Sequence, residues 1–180
     1  PQALIPRPET EEMVSLALEN SDEMPSADVL RVLDIGTGSG CIALGVKYGL
    51  ALAGRASEVV GEDVSVDALR LAQQNAEVNH LDVKFVERDA LSPAADTNSY
   101  HLILSNPPYI PQRERETMDA VVTDHDPALA LFVPDERPLL FYEAILKRCE
   151  STALAPGGVV LLECHRDFDM DVSNLFCSSP

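Results

Sequence analysis

Val29-Leu30-Arg31-Val32-Leu33-Asp34-Ile35-Gly36-Thr37-Gly38-Ser39-Gly40-Cys41 joins a strand-like run to a glycine-rich corner. An apolar run from Val29 to Ile35 carries one acid and has the length of a buried strand. It breaks at a glycine-rich corner and passes directly into a segment of small and apolar residues over 41–53, which predicts a helix. Glycines at such a corner let the backbone turn sharply and approach a ligand closely, and the following helix start presents oriented N–H groups. The spacing is G-x-G-x-G, unlike the G-x-G-x-x-G of dinucleotide folds, and Asp34 precedes it on the strand. An acid there suits a cationic amino group better than a pyrophosphate. Asp34, Gly36, Thr37, Gly38 and Gly40 are therefore candidate cofactor-binding residues.

Outward from this corner, apolar runs alternate with helix-length segments. Strands are predicted over 58–62, 83–86, 100–104 and 158–163, the last following the Pro156-Gly157 break. Helices are predicted over 65–79, with Ser65 as N-cap, and over 138–149, with Leu139, Tyr142, Ala144, Ile145 and Leu146 on the buried face. Upstream, three prolines within residues 1–8 read as an extended linker, Pro8 opens a short helix to about Asn20, and 22–28 is a polar loop. Alternating strands and helices imply an α/β fold with a doubly wound, mostly parallel sheet and right-handed crossovers. Residues 1–24 are expected to form a linker and helix ahead of a cofactor-binding domain over 25–180. Residues 113–132 are too long and irregular for a routine connection and are expected to be functional or mobile.

In such a sheet the strand ends share one crevice. Glu62 and Asp63 close the second strand; a carboxylate there can accept both hydroxyls of a ribose, and Asp63 is favoured of the two. Asp89, beyond the third strand, can accept from an adenine amino group. The fourth strand ends in Ser105-Asn106-Pro107-Pro108-Tyr109. The prolines fix φ, remove backbone donors and leave carbonyl acceptors, Asn106 adds a carboxamide oxygen and Tyr109 a flat ring. Two such acceptors can hold both N–H bonds of an amide or exocyclic amine and orient its nitrogen toward an electrophile.

Composition limits the alternatives. The 180 residues are 46% apolar, enough for one core, and 13 basic against 30 acidic side chains leave a formal charge of −17. A surface so acidic repels nucleic acid and anionic membranes, so no direct contact with either is expected. No apolar run approaches the length of a membrane span. Cys41, Cys149, Cys164 and Cys177 show neither a C-x-x-C pair nor a zinc spacing with the four histidines; free thiols and no metal are expected.

Asp34, the glycine corner, the strand-end acids and Asn106-Pro107-Pro108-Tyr109 together resemble the class I methyltransferases that use S-adenosylmethionine on amino or amide nitrogens. More narrowly, Leu4-Ile5-Pro6-Arg7-Pro8-Glu9-Thr10-Glu11, the run Asp-Ile-Gly-Thr-Gly-Ser-Gly-Cys-Ile-Ala-Leu over 34–44 and Asn-Pro-Pro-Tyr-Ile over 106–110 resemble the HemK/PrmC family, the release-factor glutamine methyltransferases. The resemblance covers roughly residues 3–163. It implies N5-methylation of the glutamine in the Gly-Gly-Gln loop of a peptide chain release factor. Asp34 and the corner would hold the methionine part of the cofactor, Asp63 the ribose, and Asp89 with Ala90 the adenine. Asn106 and the Pro107 carbonyl would bind the substrate amide beside the cofactor, with Pro108 and Tyr109 packing around it. The Arg7-Pro8-Glu9-Thr10 segment resembles the family's loop over cofactor and substrate.

No Lys or His is needed for this chemistry, so His125 and His165 are read as surface or structural groups. Glu163 matches the family's acid after the fifth strand, but His165 and Phe168 stand where Gly and Gln are usual. The family's N-terminal helical domain and terminal strand pair are expected to lie outside these residues, leaving the fifth strand as a sheet edge. The alternatives are an adenine N6 or protein-lysine methyltransferase, or an inactive cofactor-binding fragment. The expected location is the cytoplasm, or the mitochondrion if a targeting segment lies upstream; the oligomeric state is unknown.

Overall fold

The computed structural model describes residues 3–4, 8–24, 28–92, 98–117 and 128–178. Five parallel strands form the main sheet: β1 (Leu30–Ile35), β2 (Ser57–Asp63), β3 (Lys84–Glu87), β4 (Tyr100–Ser105) and β7 (Leu154–Leu162), in the order β3-β2-β1-β4-β7. The chain builds outward from β1 to β2 and β3, then crosses back to β4 and β7. The sheet thus changes direction between β1 and β4, where a crevice opens at the carboxyl ends of the strands. Ile35 pairs with Glu62 on one side and Ser105 on the other, which brings the glycine corner, the β2 acids and Asn106 to one edge.

β1 can hold this central place because five of its six residues are fully buried, as a strand covered on both faces requires. On one face Leu30 and Val32 pack with α1 (Pro8–Glu23) and α2 (Cys41–Leu52) through Met13, Ala17, Ala43, Val46 and Leu50. A Cβ at Gly49 would lie 2.4 Å from Leu18, so glycine there lets α1 sit close on α2. On the other face Leu33, Ile35 and Ile103 meet Ile145 of α4 (Leu140–Arg148) and Phe176 of α5 (Asp169–Cys177).

α3 (Val66–Asn79) starts as the sequence predicts: the Ser65 hydroxyl accepts from the Ala68 N–H at 3.2 Å. It ends on His80, whose φ of 55° closes the helix in the left-handed region.

Several boundaries differ from the sequence expectations. β7 begins at Leu154, ahead of the expected break at Pro156-Gly157. Gly157 adopts φ +74° and the pairing skips from Tyr100↔Leu154 to Leu102↔Val159, so the turn signal is a bulge inside a continuing strand. The helix predicted over 138–149 runs only from Leu140 to Arg148 and passes into a π-helical turn, Cys149–Ala153. α5 was not expected at all. The segment after Tyr109 contributes β5 (Ile110–Pro111), a 3-10 turn over Gln112–Thr117, a single α-helical turn over Ala128–Leu131, and β6 (Phe132–Val133). β5 and β6 pair in parallel as a two-stranded sheet. β7 is the last strand on its side of the main sheet among the described residues, the edge the sequence anticipates. Among the described residues no helix is long and apolar enough to cross a membrane.

Candidate active site

The glycine corner is pinned to the end of β2: the Gly36 and Thr37 N–H groups both donate to the Glu62 carbonyl at 2.8 Å. Gly36 has φ +72°, and a Cβ there would meet nothing within 4 Å, so the turn rather than packing demands glycine. At Gly40, φ is +83° and a Cβ would crowd Ala72 at 3.1 Å and Leu44 and Phe85 at 3.3 Å. Gly40 therefore seats the start of α2 against α3 and β3. Asn75 of α3 secures the corner from outside, donating from Nδ2 to the Ser39 carbonyl at 2.9 Å.

Asp34 lies beneath the corner, fully buried. Its Oδ2 accepts from the Thr37 hydroxyl at 2.6 Å and the Ala43 N–H at 3.2 Å, while Oδ1 has no hydrogen-bond partner. Burial pushes the carboxyl up to about 7 despite those two hydrogen bonds, which favour the charged form, and nearby Asp63 raises it further. Such a group favours positive charge in its surroundings.

A cavity of about 330 Å³ opens at this edge of the sheet, in the range of small-ligand sites. Gly36, Thr37 and Gly38 line it, whereas Asp34 and Gly40 act from behind the wall. Asp63 lines it too, with Oδ2 accepting from the Gly38 N–H at 2.9 Å and Oδ1 from the Ser65 N–H at 2.8 Å. These bonds fix the carboxylate and leave lone pairs on each oxygen for a ligand's hydroxyls. Glu62 does not line the cavity and holds Arg88 and Arg148, so of the two acids Asp63 is the one at the cavity. Asp89 and Ala90 line the wall beyond β3, where the Leu91 N–H donates to Asp89 Oδ1 at 2.9 Å.

Opposite the corner stand Asn106, Pro107 and Pro108. The Ser105 hydroxyl donates to the Ile35 carbonyl at 2.7 Å and ties the end of β4 to the end of β1. Tyr109 does not line the main cavity. Its ring borders a small adjoining recess with Leu4, Asn106, Pro107, Ile110, Ala130 and Leu131, and its hydroxyl donates to Glu163 Oε1 at 2.9 Å. The Tyr142 hydroxyl donates to the Glu163 carbonyl at 3.0 Å, so the end of β7 braces both.

Of the opening segment, Pro8 is exposed at the start of α1 and does not line the cavity, while Ala3, Leu4 and Thr10 do. Arg7 and His125 lie outside the described residues. His165 sits 3.3 Å from Glu114 Oε2 and 6.3 Å between ring centroids from Tyr109, and is not among the lining residues. Arg88 and Phe141, which the sequence does not single out, and Ile145, which it places on a buried helix face, complete the wall. Phe141 and Ile145 carry the helical spacing of a buried face, but nothing in that spacing distinguishes a core position from a cavity wall. Among the described residues no group of three or more His, Cys, Asp or Glu could hold a metal ion, and none of the four cysteines forms a disulfide.

These residues suit S-adenosylmethionine. A buried acid with an unpartnered oxygen and a raised proton affinity matches a cationic ligand, a positive-φ glycine corner admits a close backbone approach, and two carboxylates meet hydroxyl and amino groups. Ile35, Ala90, Leu91, Phe141 and Ile145 offer apolar surface for a purine.

The parallel sheet, its switch point and this cavity define the class I methyltransferase fold. Solved structures agree: the ribosomal protein L11 methylase from Lactobacillus delbrueckii subsp. bulgaricus superposes with a TM-score of 0.60 at 19% identity, over 96% of this chain and 69% of that one. TrmN from Thermus thermophilus superposes with a TM-score of 0.59 at 25% identity, over 94% of this chain and 39% of that one. The sequence matches the methyltransferase small domain family over residues 17–129, and the chain belongs to that family. Among its curated relatives, the release factor glutamine methyltransferase of Deinococcus radiodurans is 45% identical over 167 residues, 90% of this chain and 54% of the relative. That of Bacteroides thetaiotaomicron is 41% identical over 173 residues, 96% of this chain and 59% of the relative. The chain thus spans somewhat more than half the length of these relatives.

Proposed function

We propose that the chain is the methyl-transferring part of a release factor glutamine methyltransferase, acting on the N5 nitrogen of the glutamine in a Gly-Gly-Gln loop. The observation that carries this reading is that Asn106 and Pro107 wall the same cavity as Gly36, Thr37 and Gly38. The names of the relatives point to the same substrate.

Bound S-adenosylmethionine would supply an electrophilic sulfonium methyl group. The chain's task is to prepare the amide. An amide nitrogen is a poor nucleophile because its lone pair is delocalised, and alignment and exclusion of water must lower the barrier. The Asn106 carboxamide oxygen and the Pro107 carbonyl accept the two N–H bonds, fixing the nitrogen's position and increasing its electron density. Pro107 and Pro108 have no N–H that could compete for those acceptors. Among the described lining residues there is no Lys or His, in keeping with a reaction run by orientation rather than by a strong base. The Thr37 and Gly38 backbone, set by Asp34 and Asp63, holds the donor side.

The charge of −17 disfavours an oligonucleotide acceptor, and a release factor in the cytoplasm is the proposed partner. Incubation with labelled cofactor and a release factor tests the reading. Label should enter the wild-type factor and be lost after Gln→Ala in its Gly-Gly-Gln loop. Label that persists in that variant, or that passes instead to an oligonucleotide, rejects the acceptor.

A further inference from the structure

Glu62 lies at a position where a parallel strand covered on both faces calls for an apolar side chain. Its side chain is only 4% exposed, and it holds two guanidinium groups: Oε1 is 3.1 Å from Arg88 and Oε2 is 2.9 Å from Arg148, itself 6% exposed. Burying Glu62 and Arg148, with Arg88 half-buried beside them, is costly, and the fold gains little from it that an apolar cluster would not provide. What the arrangement does supply is a connection. Arg88 lines the cavity and opens the β3 exit that continues through Asp89, Ala90 and Leu91, while Arg148 is the last residue of α4, whose Phe141 and Ile145 line the same cavity. Ala90 packs against the core cluster that contains Ile145, so the two elements meet at this wall.

We infer that Glu62 is a positioning residue: by gripping Arg88 and Arg148 on its two oxygens it sets the spacing between the β3 exit and α4, and hence the slot that takes the nucleoside of the cofactor. The inference rests on the cofactor reading above. Glu62 touches no ligand itself. It acts through Arg88, whose backbone N–H also donates to the Asp63 carbonyl at 2.9 Å, so movement of Arg88 bears on the acid assigned to the ribose as well.

Calorimetric binding of S-adenosylhomocysteine to the full chain tests this. Glu62→Gln keeps the shape, removes the charge and turns a donor toward a guanidinium; it should weaken binding about tenfold, the scale of a lost charge-assisted hydrogen bond. Because that variant removes the charge that buried Arg148 faces at 2.9 Å, Glu62→Leu/Arg148→Leu is measured beside it. The double variant should unfold within a few degrees of the wild type yet still bind about tenfold more weakly, since Arg88 lacks its Glu62 contact. A purely structural role would instead restore affinity together with stability. A double variant binding within twofold of the wild type therefore overturns the inference. Failure of the wild type to bind at all would refute the cofactor reading, and this inference with it.

Discussion

The glycine corner and the Asn106-to-Tyr109 segment wall one cavity from opposite banks, and they are held in place by different kinds of contact. The corner is secured over short chain distances: Thr37 and Ala43 to Asp34 span 3 and 9 residues, and Gly38 to Asp63 spans 25. The opposite bank depends on remote residues, with Ser105 reaching Ile35 across 70 positions and Tyr109 reaching Glu163 across 54. Beyond it, β5 and β6 pair over two residues each. The first bank is held within the contiguous stretch from β1 to α3. The second is complete only once β7 has docked, because Glu163, the acceptor for Tyr109, follows directly on that strand.

If the banks divide the work as proposed, changes on each should separate. Asn106→Ala should lower transfer to a release factor by about two to three orders of magnitude, the usual loss of one oriented polar group at the reacting centre. Affinity for S-adenosylhomocysteine should stay within about threefold. Single-turnover rates and calorimetry on the same preparation would show it, and parallel losses in both would merge the two banks into one.

Asp34→Asn addresses the first bank through pH. The folded carboxyl ionises near 7 rather than 3.8, so the fold favours its protonated form. Below about pH 4 this group imposes no penalty on folding. As pH rises from 4 to 7 the unfolded chain ionises first and the wild type loses stability, up to about 4 kcal/mol at about 1.36 kcal/mol per pKa unit. Above 7 the loss is complete. The Asn variant has no carboxyl to ionise, so its urea stability minus that of the wild type should climb across pH 4 to 7 and then level. A difference that is flat over that range would remove the buried acid from the account.

Two glycines sharpen the contrast within the corner. Gly40→Ala combines positive φ with three contacts at 3.1 to 3.3 Å and should cost about 3 kcal/mol, whereas Gly36→Ala meets open space and should cost only about 1 to 2 kcal/mol for its backbone. Equal losses in urea unfolding would mean that packing does not distinguish them. On the far bank, Tyr109→Phe removes the bond to Glu163 and should cost about 1.5 kcal/mol in stability. It should also slow transfer severalfold without changing cofactor affinity.

The same contrast explains what could be read in advance. Asp34, the corner, Ser65 and the strand-helix alternation are local patterns, and each stands where the sequence reading puts it. The closing residues of the cavity are not local: Phe141 and Ile145 look like any buried helix face, and Arg88 looks like any charged residue at a strand end. Pro156-Gly157 carries an ordinary turn signal that strand pairing overrides, turning it into a bulge. Asp34 and Gly40 do not line the cavity that Gly36, Thr37 and Gly38 line, a distinction that residue spacing does not express.

The central claim is that the carboxamide of Asn106 and the carbonyl of Pro107 present an amide to a donor lodged at the glycine corner. A crystal structure of the chain with S-adenosylhomocysteine and a peptide containing Gly-Gly-Gln tests it most directly. The ligand sulfur should lie beside the Gly36-to-Gly38 turn, with the glutamine nitrogen donating to both acceptors at about 3 Å. A peptide whose glutamine lies outside the cavity, or whose amide nitrogen turns away from Asn106 while the cofactor product is in place, would contradict it.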